Sequence, residues 1–96
     1  GSAAQRVLSE APAAPARILV VDDDPLIRSE VGRMFASQAY AVDVAADVDA
    51  AHERLARADY ALAVVDLRMP GRDGITLTVE IRERWPEVDV IMITGH

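Results

Sequence analysis

The chain has 96 residues, which is enough for one small domain with a single hydrophobic core. Its formal net charge of −6 argues against nucleic acid as a direct partner. The sequence has no cysteine, no apolar run of membrane-spanning length and no pattern typical of a secretory signal. Disulfides and thiolate metal sites are therefore excluded, and we expect a soluble cytoplasmic domain.

The first sixteen residues are expected to form a tag and a linker. Gly1 and Ser2 resemble a cloning remnant, and residues 3–16 are rich in alanine and include Pro12 and Pro15. The folded domain should therefore span residues 17–96.

The first strand is predicted at Arg17–Val21. Its last four residues are apolar and three of them are β-branched, which is typical of a strand buried on both faces. Three aspartates follow, and then Pro25, a residue suited to the first turn of a helix. A helix is predicted from Pro25 to about Ser37, with Asp24 as its N-cap. Its apolar face should consist of Ile27, Val31, Met34 and Phe35.

Two more strands and a second helix follow. A short strand is predicted at residues 41–44, and Asp47 is placed to cap a helix that ends near Ala58. This helix should leave His52 on its solvent side, and its inward-facing residues should be Val48, Ala51 and Leu55. The third strand is predicted at residues 60–65 and is followed by Asp66. Residues 67–74 form a loop marked by proline and glycine.

The next segment carries two conflicting signals. Apolar and polar residues alternate from Ile75 to Ile81, which is the period of a strand. Residues 80–85 favour a helix, and Pro86 is a stop signal. A helix also lets the flanking strands run parallel through a crossover. We therefore predict a third helix at residues 75–85 and a fourth strand at residues 88–93.

The resulting order of elements predicts an α/β fold with a doubly wound parallel sheet and helices on both faces. Polar side chains follow three strands, namely residues 22–24, Asp66 and Thr94. Because such strand ends meet at one edge near the switch in strand order, we expect these groups to converge. Clustered carboxylates favour a neutralising cation, Mg²⁺ first, and a carboxylate beside it can become an aspartyl phosphate.

Three segments resemble the receiver domain of two-component response regulators. They are Val-Val-Asp-Asp-Asp at 20–24, Val-Val-Asp-Leu-Arg-Met-Pro-Gly-Arg-Asp-Gly at 64–74 and Val-Ile-Met-Ile-Thr-Gly-His at 90–96. The middle segment is the most specific, because an aspartate at a strand end followed by Met-Pro-Gly and Asp-Gly is hard to explain otherwise. The resemblance covers residues 17–96 and implies a flavodoxin-like fold with strand order 2-1-3-4.

The resemblance also implies a role for each site residue. Asp66 matches the phosphate acceptor, and Thr94 matches the switch hydroxyl that hydrogen-bonds the phosphoryl group. Asp22 and Asp23 match the acidic pair, with Asp23 the direct Mg²⁺ ligand and Asp22 acting through water. The backbone carbonyl of Arg68 matches the third protein ligand of the metal.

The function implied is that of a signalling switch and not of a turnover enzyme. A sensor histidine kinase would supply the phosphoryl group, and an output domain in the intact protein would respond to it. The ending Ile-Thr-Gly-His resembles receivers attached to transcriptional regulators. We expect this piece to contact neither nucleic acid nor membrane.

The chain departs from the family's pattern after the fourth strand. A receiver continues through a further helix, strand and helix, and its fifth strand carries an aromatic switch residue and ends in a lysine. This chain ends at His96 and contains no lysine, so we expect an incomplete receiver, truncated after the fourth strand. An unpaired, apolar fourth strand would invite another chain, which predicts a homo-oligomer formed through residues 88–93.

Two alternatives remain open. Asp22-x-Asp24 after an apolar strand, with a threonine after a later strand, also resembles the opening motif of haloacid-dehalogenase-type phosphatases. That family follows the motif with Gly-Thr, where this chain has Pro25 and Leu26, and it gives no role to Asp66. The other alternative is a receiver-like module that binds proteins without being phosphorylated, which the absence of lysine favours.

Overall fold

The structure of the protein, a computed structural model, describes residues 15–68 and 74–93. The elements are β1 (Arg17–Val21), α1 (Pro25–Ala36), β2 (Ala41–Ala45), α2 (Val48–Arg57), β3 (Leu62–Asp66), α3 (Gly74–Arg84) and β4 (Asp89–Ile93). The four strands are parallel and form one sheet in the order β2-β1-β3-β4, and a helix connects each strand to the next along the chain. The predicted fold class and strand order are confirmed.

The pleat of the strands divides the core into two layers. Leu19 and Val21 of β1 point to the face covered by α2 and α3, where the larger cluster of buried residues lies. Ile18 and Val20 point to the opposite face, which α1 covers. Because alternate residues of a strand point to opposite faces, β1 can be apolar throughout only if both faces are covered.

The predicted caps form at the starts of α1 and α2. Asp24 Oδ1 accepts a hydrogen bond from the amide of Leu26 at 2.9 Å. Asp47 Oδ1 accepts one from the amide of Ala50 at 2.8 Å. Each carboxylate satisfies an amide that has no partner inside the helix and adds a favourable charge at its N-terminus. The inward-facing residues predicted for α2 are all buried, namely Val48, Ala51 and Leu55.

The segment with conflicting signals is the helix α3. Leu77 and Ile81, four residues apart, are buried against the sheet. Ile75 and Val79, also four residues apart, are exposed on the other side of the helix. The apparent alternation therefore consists of two helical stripes, one facing the core and one facing outward.

One expectation about burial is wrong. Met34, predicted on the apolar face of α1, is 53% exposed, whereas Val31 and Phe35 of the same helix pack against the sheet. β4 is the most exposed of the four strands, and its residues Ile91 and Met92 are 49% and 47% exposed. Within the described part of the chain β4 pairs with β3 alone, which leaves its outer edge without a neighbouring strand.

The expectation for His52 is also wrong. Its Nε2 atom lies 3.5 Å from Glu80 Oε2 on α3, and its ring lies 6.1 Å from the ring of Trp85. Both helices cover the same face of the sheet, so one side of α2 that is polar in sequence faces α3 instead of solvent. The periodicity of a single helix carries no information about such a contact between two helices.

None of the described helices is both long and apolar enough to cross a membrane. The tag and linker expected at residues 1–16 lie almost wholly outside the described residues. Pro15 and Ala16, the two that are described, are exposed.

A polar network ties β2 to β1 and to the start of β3. Tyr60 Oη donates a hydrogen bond to Asp43 Oδ2 at 2.7 Å, and Arg17 Nη1 donates to the same oxygen at 3.0 Å. Burial raises the pKa of Asp43, but these hydrogen bonds and the charges of Arg17 and Arg54 outweigh it and leave that pKa below its ordinary value. Burial, the hydrogen bond to Asp43 and the Asp43 charge raise the pKa of Tyr60 to about 12.

This network predicts a loss of stability in alkali that depends on Tyr60. The pKa of its hydroxyl rises from 10.0 to about 12 on folding, so the neutral form stabilises the fold fully below pH 10.0. That stabilisation should disappear as the pH rises through about 12. Tyr60→Phe should lower the free energy of unfolding by roughly 1 kcal/mol at neutral pH and should flatten this alkaline decline.

Urea unfolding of the parent and the variant at a series of pH values measures both effects. Tyr40→Phe is the matched control, because Tyr40 is partly exposed and contacts Phe35 through its ring. An equal loss of stability in the two variants would contradict the role given to the Tyr60–Asp43 hydrogen bond.

Candidate functional site

The register of the sheet places two aspartates side by side. Val21 at the end of β1 pairs with Val65 of β3, and each valine is followed by an aspartate, Asp22 and Asp66. β2 lies on one side of β1 and β3 on the other, so the strand order reverses at this position. In open parallel sheets this is the position where ligands bind.

Three carboxylates meet at this edge. One oxygen each from Asp22, Asp23 and Asp66 lies within 4.8 Å of the other two. Asp22 and Asp66 are fully buried, whereas Asp23 is exposed. The structure thus brings Asp22 and Asp23, which follow β1, together with Asp66 at the end of β3, as the sequence predicted.

Backbone contacts fix the turn that contains Asp22. Its amide donates to the carbonyl of Ala45 at 3.1 Å, and its Oδ1 accepts from the amide of Asp24 at 2.9 Å. Arg28 of α1 donates from Nη1 to the Asp22 carbonyl at 2.8 Å. Because Asp24 also caps α1, the end of β1 and the start of the helix are joined through one short turn.

Asp66 is held in a comparable way. Its Oδ1 accepts a hydrogen bond from the amide of Arg68 at 3.0 Å. The amide of Leu67 donates to the carbonyl of Ile93 at 3.0 Å, which anchors the turn on β4. Each of the two buried aspartates therefore accepts a backbone N–H two residues further along the chain, an arrangement typical of Asx turns.

Gly74 places the start of α3 directly against Asp66. A Cβ atom at this position would lie 2.8 Å from the carbonyl carbon of Asp66 and 2.9 Å from the Cα of Leu67. Both contacts are to backbone, so no side-chain rotation could relieve them. The sequence identified Gly74 as part of a motif and a loop marker, whereas the structure gives it a steric role at the acidic site.

The donor set fits a divalent cation that prefers oxygen ligands. Mg²⁺ binds through one or two carboxylates and retains several waters, and the exposed Asp23 leaves the cluster accessible to water. A cation would also offset the repulsion between the buried Asp22 and Asp66 carboxylates. These three aspartates are the residues that would hold the ion.

The other two predicted site residues are Thr94 and Arg68. Thr94, the predicted switch hydroxyl, lies outside the described residues, as does the Met-Pro-Gly segment after Arg68. Arg68 is described and contacts Asp66 through its amide, and the role of its carbonyl stays a prediction. Arg28 was not predicted as a site residue from the sequence, where it is one of two arginines on α1.

The response regulator receiver domain family matches residues 18–96. The chain is 42% identical over 85 residues to the transcriptional regulatory protein AruR of Pseudomonas aeruginosa. The matching region covers 83% of this chain and 34% of AruR. The chain therefore belongs to the response regulator receiver domain family, and it spans about a third of that relative's length.

Solved structures agree with this assignment. The response regulator TrrA of Thermotoga maritima in complex with Mg(2+)-BeF superposes with a TM-score of 0.76 at 32% identity, over 80% of this chain and 67% of TrrA. TrrA in complex with the histidine kinase ThkA gives a TM-score of 0.77 at 32% identity, over 84% of this chain and 72% of TrrA.

The family match bears on the phosphatase alternative. It includes the Asp66 segment as well as the turn after β1, whereas the phosphatase motif gives no role to Asp66. Receiver domains are typically signalling modules and not turnover enzymes. The receiver interpretation is therefore favoured over the haloacid-dehalogenase one.

The tight packing of Gly74 predicts opposite effects for two glycine substitutions. Gly74→Ala should lower the free energy of unfolding by roughly 1–3 kcal/mol, because its methyl group would overlap backbone atoms next to Asp66. Gly32→Ala should be neutral or raise stability by up to about 1 kcal/mol, because alanine favours a helix interior. Within the described ranges, a Cβ at Gly32 would meet Val42 Cγ1 alone, at an ordinary 3.5 Å.

Urea unfolding of both variants measures the direction of each change in the free energy of unfolding, and Mg²⁺ titration measures the affinity of the acidic cluster. Gly74→Ala should also weaken Mg²⁺ binding, since it displaces the backbone of Asp66, and Gly32→Ala should leave it unchanged. Full stability and parental metal affinity in Gly74→Ala would refute the steric role given to this glycine.

Proposed function

We propose that this domain accepts a phosphoryl group on Asp66 from a histidine kinase, with Mg²⁺ bound by the acidic cluster. The observation that carries the proposal is the position of buried Asp66 beside Asp22 and Asp23, with carboxylate oxygens within 4.8 Å. Family membership supports it, as do the Mg(2+)-BeF and histidine kinase complexes of the Thermotoga relative.

Asp66 acts as the nucleophile in this proposal. One carboxylate oxygen forms a bond to phosphorus while the bond between phosphorus and the histidine nitrogen breaks, and that nitrogen keeps the electron pair. The product is an aspartyl phosphate. The hydrogen bond from the Arg68 amide to Asp66 Oδ1 holds the carboxylate in one orientation, so the reaction depends on positioning more than on proton transfer.

The remaining site residues hold the metal and the phosphoryl group. Asp23 is proposed as a direct ligand, Asp22 as a ligand through water, and the Arg68 carbonyl as the third protein contact. The ion would neutralise charge on the phosphoryl oxygens. Thr94 is proposed to hydrogen-bond the phosphoryl group once it is on Asp66.

The proposed role is a switch and not turnover. Phosphorylation would bias an equilibrium between two conformations, and an output domain in the intact protein would respond to the favoured one. The name of the Pseudomonas relative supports transcription regulation as the process. We propose a cytoplasmic location for this domain and a sensor histidine kinase as its partner.

Acetyl phosphate and Mg²⁺ should add one phosphoryl group to the parent chain. Intact-mass spectrometry measures this gain, which should disappear in Asp66→Asn and in the absence of Mg²⁺. Asp23→Asn should weaken Mg²⁺ binding at least roughly tenfold by calorimetry, because a direct carboxylate ligand loses its charge.

Asp24→Asn is the matched control in the same turn. It removes the same charge but keeps the ability to cap α1, so phosphorylation and Mg²⁺ affinity should stay close to those of the parent. Mg²⁺ binding without any phosphorylation would instead favour the receiver-like binding module, since the chain has no lysine to pair with a phosphoryl group. Turnover of a phosphate ester would revive the phosphatase alternative.

We also propose that this chain self-associates through β4. Within the described part of the chain the strand has a neighbour on one side only, and Ile91 and Met92 are each about half exposed. Unpaired N–H and C=O groups beside exposed apolar side chains favour pairing with a second strand. A second copy of β4 offers the same groups.

Light scattering over a range of protein concentrations should detect a dimer or larger species. The double variant Ile91→Lys/Met92→Lys should be monomeric, because two like charges on the edge strand oppose pairing. Met34→Lys is the matched control, since Met34 is similarly exposed but lies on α1. A monodisperse monomer for the parent at the highest concentration would rule out the association.

A further inference from the structure

A cleft lies between α1, the carboxyl end of β2 and α2, apart from the acidic cluster, and it has a volume of about 460 Å³. Three arginines line it, Arg28 from α1 and Arg54 and Arg57 from α2. Among the described residues that line the cleft, Glu53 is the only one with a carboxylate. The cleft is therefore locally basic, although the chain as a whole has a net charge of −6.

The sequence of α2 places these groups on one side of the helix. Ala50, Glu53, Arg54 and Arg57 follow the i, i+3, i+4, i+7 spacing of a single helical face. The core-facing stripe that contains Leu55 lies on another face of the helix. The basic face of α2 is thus separate from the packing that holds the helix on the sheet.

The arginines have hydrogen-bonding capacity left for a ligand. Arg28 donates to the Asp22 carbonyl at 2.8 Å, which fixes its guanidinium at the cleft while using one of its five N–H groups. Arg54 Nη1 lies 3.9 Å from Asp43 Oδ1, which is beyond hydrogen-bonding distance. The side chain of Arg57 makes no hydrogen bond or ion pair to any residue in the described ranges.

We propose that this cleft binds a small organic anion, in which a carboxylate or phosphate group adjoins an apolar body. Guanidinium groups bind both kinds of oxyanion in a bidentate manner. Val44, Ala45 and Ala46 supply an apolar floor, and Val44 is partly exposed there. The volume lies within the range of about 300–1,000 Å³ that is typical of small-molecule pockets. The proposal is independent of phosphorylation at Asp66.

Phenylphosphonate, benzoate and phenol are suitable probes, because they share a ring and differ in the group attached to it. Each is titrated into the ¹⁵N-labelled chain without Mg²⁺, and amide chemical shifts are followed. Phenylphosphonate and benzoate should give saturable shifts at Ala45, Ala46 and Ala50, and phenol should not. Whichever of the two anions binds more tightly shows whether the cleft prefers a phosphate-type or a carboxylate group.

Three charge variants test the assignment of the cleft. Arg57→Gln should weaken binding of the anions at least about fivefold, because a charge-assisted hydrogen bond is lost. Glu53→Gln should strengthen binding by about twofold or more, because it removes the one repelling carboxylate. Arg82→Gln is the matched control: it changes the net charge equally, but Arg82 lies on α3, outside the cleft.

Agreement of all three variants with these directions would support the site. The proposal is overturned if the lining amides do not shift, if phenol binds as well as the anions, or if Arg57→Gln and Arg82→Gln weaken binding equally. If Arg57→Gln destabilises α2, Glu53→Gln still tests the proposal, because partial unfolding would not increase the affinity for the anions.

Discussion

The acidic site depends on two like charges that the sheet holds side by side at full burial. Asp22 and Asp66 follow Val21 and Val65, which pair in the β1–β3 ladder. A shift of one residue in this register would exchange the side chains that face the two layers of the core and would move the two aspartates out of line with each other. The packing that buries the core therefore also determines the distance between the two carboxylates. Backbone N–H groups that donate to both carboxylates offset part of the free-energy cost of this repulsion, and a bound cation would offset more of it.

Each buried aspartate is also in contact with the helix that follows it. Arg28, in the first turns of α1, reaches back to the carbonyl of Asp22, and Gly74, the first residue of α3, lies against the backbone of Asp66. These contacts are to main-chain atoms, which cannot move away by changing rotamer. A displacement of the backbone at either aspartate would therefore also displace the helix that follows it. This is the physical property that a two-state switch requires.

Much of the fold could be predicted from the sequence because its signals are local. Asp24 and Asp47 cap their helices as predicted, and strand β1 is buried on both faces because it is apolar at every interior position. Contacts between one helix and another, or between a helix and the sheet, leave no comparable pattern in the sequence. His52 was assigned to solvent, although α3 lies beside it, and Met34 was assigned to the core, although α1 meets the sheet along a narrower stripe. The same holds at the site, where the aspartates were predicted from motifs but Arg28 and the steric role of Gly74 were not.

The acidic cluster and the basic cleft have opposite charges and share structural parts. Arg28 lines the cleft and bonds the Asp22 carbonyl, and Ala45 lines the cleft and accepts the Asp22 amide. A cation at the aspartates and an anion at the arginines would attract each other across this shared wall. By linkage, whichever ligand binds first would increase the affinity for the other by the same factor. The sign of this coupling follows from the charges alone, whereas its size depends on how firmly Arg28 is held between the two sites.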